Sequence, residues 1–285
     1  MPIIDFHTHT FPDAIAEKTI ATLSAKSRTK AFLSSKADDL SEDGKREGIV
    51  LSVILPVVTN PLKTDKINTA SALINEKTQE TGLFSFGGMH PDTPEPKEEI
   101  RRIARLGLKG IKIHPPYQGV PLNDIRYKRI VDYAEEEGLV VVSHGGIDIG
   151  VAGDWSNPKQ CLELLREVRP TKFVMAHMGG WQQWDEVEEL LAGEDLYFDT
   201  AFSYGEYAYS DDVPKERRAK ALSEEKMVSL VRLHGADKIL FGTDSPWTDR
   251  REQAERIEAL PLTQQEKDSI LFLNAQKLLG LQEKI

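Results

Sequence analysis

A single cysteine, Cys161, stands in the 285 residues, so no intrachain disulfide can form and chemistry between paired thiols is excluded. Its setting in "CLELLREV" is that of an apolar helix face, the place of a buried and inert thiol. Positive charge is scarce as well. With 36 lysines and arginines against 46 aspartates and glutamates the net charge is −10, and no basic stripe with interleaved aromatics offsets it. A phosphate backbone is repelled, and nucleic acid is not an expected partner. No run approaches the roughly 18 to 20 apolar residues of a membrane-spanning helix. The N-terminus lacks the basic segment, apolar run and small-residue cleavage site of an export signal, so a cytoplasmic location is expected. A glycine-rich phosphate loop is missing after the first apolar run, where "HTHTFPDAI" offers nothing to cradle a pyrophosphate, which counts against an open doubly wound sheet.

What the chain does have is a recurring unit. Eight short β-branched or apolar runs begin at Ile3, Ile49, Leu83, Leu108, Leu139, Lys172, Asp195 and Lys238. Between them lie amphipathic segments such as "KEEIRRIARLG" and "DIRYKRIVDYAEEEG", several closed by a glycine suited to a helix C-cap. Spacings of 23 to 46 residues fit a strand, a loop and a crossover helix each time. The expected fold is α/β, a (β/α)8 TIM barrel forming one domain over residues 1–285, with its site at the C-terminal mouth. The polar stretch "SAKSRTKAFLSSKADDLSEDGKREG" is expected to form helix and loop decorating that mouth.

Polar residues collect at the strand ends. His7 and His9 are two apart and so share one face of a strand, as do Lys112 and His114. His144 ends the fifth run, His177 the sixth and Asp244 the eighth. Several imidazoles and a carboxylate converging on one spot are what a divalent transition metal requires.

The motifs "DFHTH", "KGIKIHPP", "VVSHGG", "VMAHMGG" and "FGTDSPW", with the late "NAQKLLGL", resemble the amidohydrolase superfamily over essentially the full chain. The branch it resembles includes aminocarboxymuconate semialdehyde decarboxylase and related hydrolases. The resemblance implies one divalent ion, zinc first and manganese or another divalent ion as alternatives, held by His7, His9, His144 and Asp244. It implies that His177 assists a metal-bound water, with Asp244 also able to act as base.

Lys112 reads two ways, as the carbamylated strand-four lysine that bridges two metals in some members of the superfamily, or as a buried cation paired with Asp5. If His177 binds a second ion the site is binuclear. Lys112, His114, Tyr117, Trp247 and Arg250 are candidates to touch substrate, Arg250 by gripping a carboxylate bidentately. All four tryptophans follow barrel strands, where they can line an apolar pocket, pack loops or build an interface. His90 reads as structural, and His234 as a surface or C-capping residue. A small-molecule substrate is expected, and a homodimer is compatible with the aromatic-rich mouth. The expected reaction is hydrolysis of an amide, lactone or ester-like bond. Its rivals are nonoxidative decarboxylation of an unsaturated or aromatic carboxylate, and a catalytically silent metal-binding barrel.

Overall fold

In the computed structural model, which describes residues 1–281, the eight expected runs all become strands and the third is split. In chain order the strands are β1 (Ile3–Thr8), β2 (Ile49–Ile54), β3 (Leu83–Ser85), β4 (Gly87–Gly88), β5 (Gly110–Ile113), β6 (Val140–Ser143), β7 (Phe173–Met175), β8 (Tyr197–Asp199) and β9 (Ile239–Leu240). Every pairing is parallel. The order is β1-β2-β3 in one sheet and β4 through β9 in the other. The break falls where the third run changes neighbours: Phe86 N–H still donates to Ile54 of β2 (2.9 Å), while Met89 N–H donates to Lys112 of β5 (3.0 Å).

The other side of the ring closes where the two ends of the chain meet. Phe6 N–H donates to Phe241 O, Asp244 N–H to His7 O and His9 N–H to Ser245 O, each at 2.8 Å. The fold is thus the expected TIM barrel, with helices such as Pro96–Arg105, Ile125–Glu136 and Pro158–Val168 between strands. Asn157 and Gln160 form a reciprocal capping box at the start of Pro158–Val168, which satisfies amides that a helix start leaves without partners.

Two apolar layers follow from strand alternation. Ile111, Ile113, Val141, Phe173, Met175 and Phe198 face the helices, with Ile100, Tyr127, Ile130 and Leu164. Ile4, Phe6, Val53, Phe86, Val142, Val174 and Leu240 fill the interior, where Ala275, Leu278 and Leu279 from the last helix also pack. The opposite parity on β5 turns Lys112 inward, 1% exposed.

Strict alternation fails on β1. Between the pairs Asp5↔Ser52 and Thr8↔Ile54 the first strand carries one residue more than the second, a bulge that re-aims the chain. Asp5 consequently points out of the barrel and His7 into it. The expected pairing of Asp5 with Lys112 is therefore wrong. Asp5 Oδ2 takes the Arg250 Nε–H at 2.9 Å and the Thr243 hydroxyl at 2.7 Å, and its Oδ1 takes Thr243 N–H at 3.0 Å. Gly242 leaves room for the re-aimed strand, since a Cβ there would stand 2.9 Å from that of His7.

Candidate active site

His7 and His9 arrive from β1, and each is oriented by its Nδ1. The His7 Nδ1 lies 2.8 Å from Asp199 Oδ2, and the His9 Nδ1 lies 2.9 Å from Leu55 O. Carboxylate and carbonyl oxygens only accept, so both rings carry their proton on Nδ1 and turn an Nε2 lone pair inward. Burial keeps His7 neutral, well below its ordinary range, and the Lys112 ammonium adds to the effect.

The two Nε2 atoms are 3.2 Å apart, and Asp244 Oδ1 sits 3.4 Å from the first and 3.1 Å from the second. Three electron-pair donors thus face one another with edges of 3.1–3.4 Å. A tetrahedral zinc site with bonds of about 2.0–2.1 Å has edges of roughly 3.3 Å. The donor set therefore fits a divalent cation.

His144 does not join that trio. Its Nδ1 lies 3.1 Å from His177 Nε2, its Nε2 lies 3.4 Å from Ile147 O, and its ring stacks on His114 at 4.4 Å. His177 is fixed from two sides, its Nδ1 2.8 Å from Ala201 O and its N–H donating to Asp199 Oδ1 at 2.8 Å. Both His177 and Asp244 leave their strands in the left-handed region, φ 62° and 60°, which His and Asp enter more readily than most side chains. Lys112 Nζ stands 3.4 Å from His7 Nε2, and burial lowers its ammonium to about 8 against the opposing pull of Asp199 and Asp244.

These groups form the floor of a cavity of about 290 Å³, whose walls include Phe11, Leu23, Tyr117, Trp181, Phe202 and Trp247. Lys112, His114, Tyr117 and Trp247 are among the residues that line it. The helix Asp13–Ser27 supplies part of the wall through Thr19, Leu23 and Ser27, so the polar stretch after β1 does reach the mouth.

Other expectations are corrected. Arg250 is no carboxylate anchor: it is 3% exposed and spends its guanidinium on Asp5, Asp43, the Leu40 carbonyl and Ser52. Among the tryptophans, Trp184 is drawn to the backbone, its Nε1–H donating to His177 O at 3.1 Å. His234 is no surface residue but is 7% exposed, stacked on Phe198 at 3.8 Å and bonded through Nε2 to Leu196 O at 3.0 Å. His90 takes the Asp92 N–H on its Nδ1, a local turn contact.

Two site carboxylates escaped sequence reasoning. Asp199 ends β8, the same kind of position that drew notice to His144 and Asp244. Asp148 lies in the loop after β6 and carries no sequence signal.

A search of curated protein sequences gives no match. Among solved structures, a TIM-barrel protein of Bordetella bronchiseptica is similar over 98% of this chain and 99% of its own, with 18% identity and a TM-score of 0.74. The 5-carboxyvanillate decarboxylase of Sphingomonas paucimobilis is similar over 99% of both chains (14% identity, TM-score 0.66). A dihydroxybenzoic acid decarboxylase of Polaromonas sp. JS666, with bound manganese and the inhibitor 2-nitroresorcinol, is similar over 98% of this chain and 97% of its own (14%, 0.67). At these identities the likenesses speak for the fold. The family described as Amidohydrolase matches residues 4–281, nearly the whole sequence, and the chain therefore belongs to the amidohydrolase family of metal-dependent enzymes.

Proposed function

We propose that the protein is a nonoxidative decarboxylase of a small aromatic or unsaturated carboxylic acid. The observation that carries this reading is the setting of the His7, His9 and Asp244 donors in a cavity whose other walls place five aromatic rings, Phe11, Tyr117, Trp181, Phe202 and Trp247, among aliphatic and threonine side chains. Such walls accept a planar substrate, exclude water and favour an apolar product such as carbon dioxide. The decarboxylases among the similar structures support it.

His7, His9 and Asp244 would hold one divalent ion, zinc or manganese, and His144, which now lies against His177 and His114, would have to turn toward the trio to serve as the fourth ligand. When bound, the ion supplies Lewis acidity to the substrate's oxygens. With its Nδ1–H committed to Ala201 O, His177 relays a proton through Nε2: the nitrogen takes a proton from solvent and passes it on as the carbon–carboxyl bond breaks, the electron pair left on the substrate carbon takes that proton, and carbon dioxide leaves. Asp199 holds both the His177 backbone and the His7 ring, and Lys112 places a cation on the floor toward the acid.

Hydrolysis of a lactone or amide is the second reading, favoured by the Asp244 carboxylate standing beside the His7 and His9 donors, where it can take a proton from water. Metal-loaded protein incubated with hydroxybenzoates in heavy water separates the two. Carbon dioxide in the headspace and one deuterium in the product support decarboxylation. Uptake of oxygen from labelled water by a lactone or amide, without carbon dioxide, replaces it with hydrolysis, and neither activity leaves a silent metal-binding barrel. Two ions per chain, with one lost in His177→Asn, would place a second ion between His144 Nδ1 and His177 Nε2 and revive a carbamylated Lys112.

A further inference from the structure

In the same cavity as the cation donors, and grouped with His144, His114 and Asp148 face each other without touching. Their side chains are 8% and 10% exposed, and His114 Nε2 stands 3.8 Å from Asp148 Oδ2, too far for a hydrogen bond. Both are fixed from behind. The His114 Nδ1 accepts Tyr117 N–H at 3.4 Å, and its ring is held between His144 and Tyr117, each at 4.4 Å. Asp148 Oδ1 accepts Gly150 N–H at 2.7 Å.

With its Nδ1 lone pair engaged, the neutral His114 ring carries its proton on Nε2. A donor and an acceptor therefore flank one point in the cavity. The same tautomer disfavours a cation there, because a metal would need the Nε2 lone pair that the proton occupies. A group that both accepts and donates fits the point, and a hydroxyl is the smallest that does.

We infer that His114 and Asp148 form a clamp for a hydroxyl of the substrate, Nε2–H donating to its oxygen and Oδ2 accepting its proton. The clamp rests on the reading of this cavity as the site of a small aromatic or unsaturated acid, and it narrows that class to acids bearing a hydroxyl away from the group that meets the cation. An ether or a bare ring leaves one or both buried groups without a partner, which is how a polar site rejects an analogue.

The test is calorimetric binding to metal-loaded protein of the three monohydroxybenzoates, their methyl ethers and benzoate, with phenol, anisole and toluene as a series free of carboxylate. The expected result is that at least one hydroxybenzoate binds about tenfold or more tightly than its ether and benzoate, and that phenol outbinds anisole. In Asp148→Leu and His114→Phe these preferences collapse. Should either variant fail to fold, Asp148→Ala and His114→Leu serve, with the same loss of preference expected. Wild-type protein that shows no hydroxyl preference in either series, or variants that keep it, would overturn the clamp. So would a bound ion lost specifically in Asp148→Leu, which would make the pair a cation site. Carbon dioxide release is read separately: its absence with the hydroxyl preference intact removes the decarboxylase reading and leaves the clamp standing.

Discussion

Two buried polar clusters lie on opposite sides of β1, and they differ in one respect that matters. Outside the barrel, Arg250 is surrounded by acceptors on Asp5, Asp43, Leu40 and Ser52, so its charge and its donors are matched. Inside, His7, His9 and Asp244 turn electron pairs toward one another, with the Lys112 ammonium 3.4 Å from His7 Nε2 as their one inward donor among the described residues. The first cluster is complete as it stands and holds structure; the second is arranged for something added. The outer cluster is the more deeply buried, the Arg250 and Asp5 side chains at 2% and 0% exposed against His9 and Asp244 at 16% and 14%, but it is hydrogen-bond saturation that tells their roles apart.

The strongest way to break this contrast is at the incomplete cluster. Asp244→Asn should lose the bound ion and lower turnover by about a thousandfold or more, since the cation supplies most of the electrostatic stabilisation, while the unfolding midpoint of metal-free protein stays close to wild type. Elemental analysis beside steady-state kinetics checks this. An unchanged metal content would remove Asp244 from the ligand set.

The complete cluster should fail in the opposite sense. Arg250→Leu strands the Asp5 carboxylate in a site where burial already works against its charge, and the expected cost is about 3–5 kcal/mol in denaturant unfolding. In the fraction that remains folded, metal content should be normal. Adding Asp5→Asn should recover part of the loss.

His234 sharpens the comparison as a histidine whose two nitrogens are both satisfied, Nδ1 accepting Gly193 N–H and Nε2 donating to Leu196 O. Burial lowers it from 6.5 to about 4. Because the folded value lies below the unfolded one, the unfolded chain takes up a proton first as pH falls. Its stabilising effect is whole above pH 6.5 and is lost on descent toward pH 4, by at most about 3 kcal/mol. Unfolding free energies of wild type and His234→Gln between pH 7 and 4 should differ by a slope approaching one proton. Parallel curves would contradict the assignment.

The smallest expected effect lies at the boundary between the clusters. Asp199→Asn keeps the shape but weakens the hold on the His7 Nδ1–H, and metal affinity should fall about 10- to 100-fold. Competition with a chromophoric chelator measures it.

The barrel was legible because its period is written in β-branched runs, and most of the site because strand ends collect His7, His9, His144, His177 and Asp244 in regular order. What escaped is equally physical. A bulge of one residue on β1 reverses the parity that assigned Asp5 to the interior. Arg250 begins a helix, Arg250–Ala259, where an arginine is ordinary, and only the packing of distant segments reveals that it is buried. Asp148 and the wall residues Phe11 and Phe202 lie in loops, whose paths no periodicity encodes.

The seam that closes the ring has a consequence for how the protein comes into being. Asp5 and Thr243 are hydrogen-bonded across 238 residues of sequence, and His7 and Asp244 meet at the same junction. A chain emerging from the ribosome thus releases His7 and His9 long before Asp244, which completes the trio, follows them. The trio can assemble only once the last strand of the barrel has been made, and an ion captured there would act as a clasp between the first strand and the last.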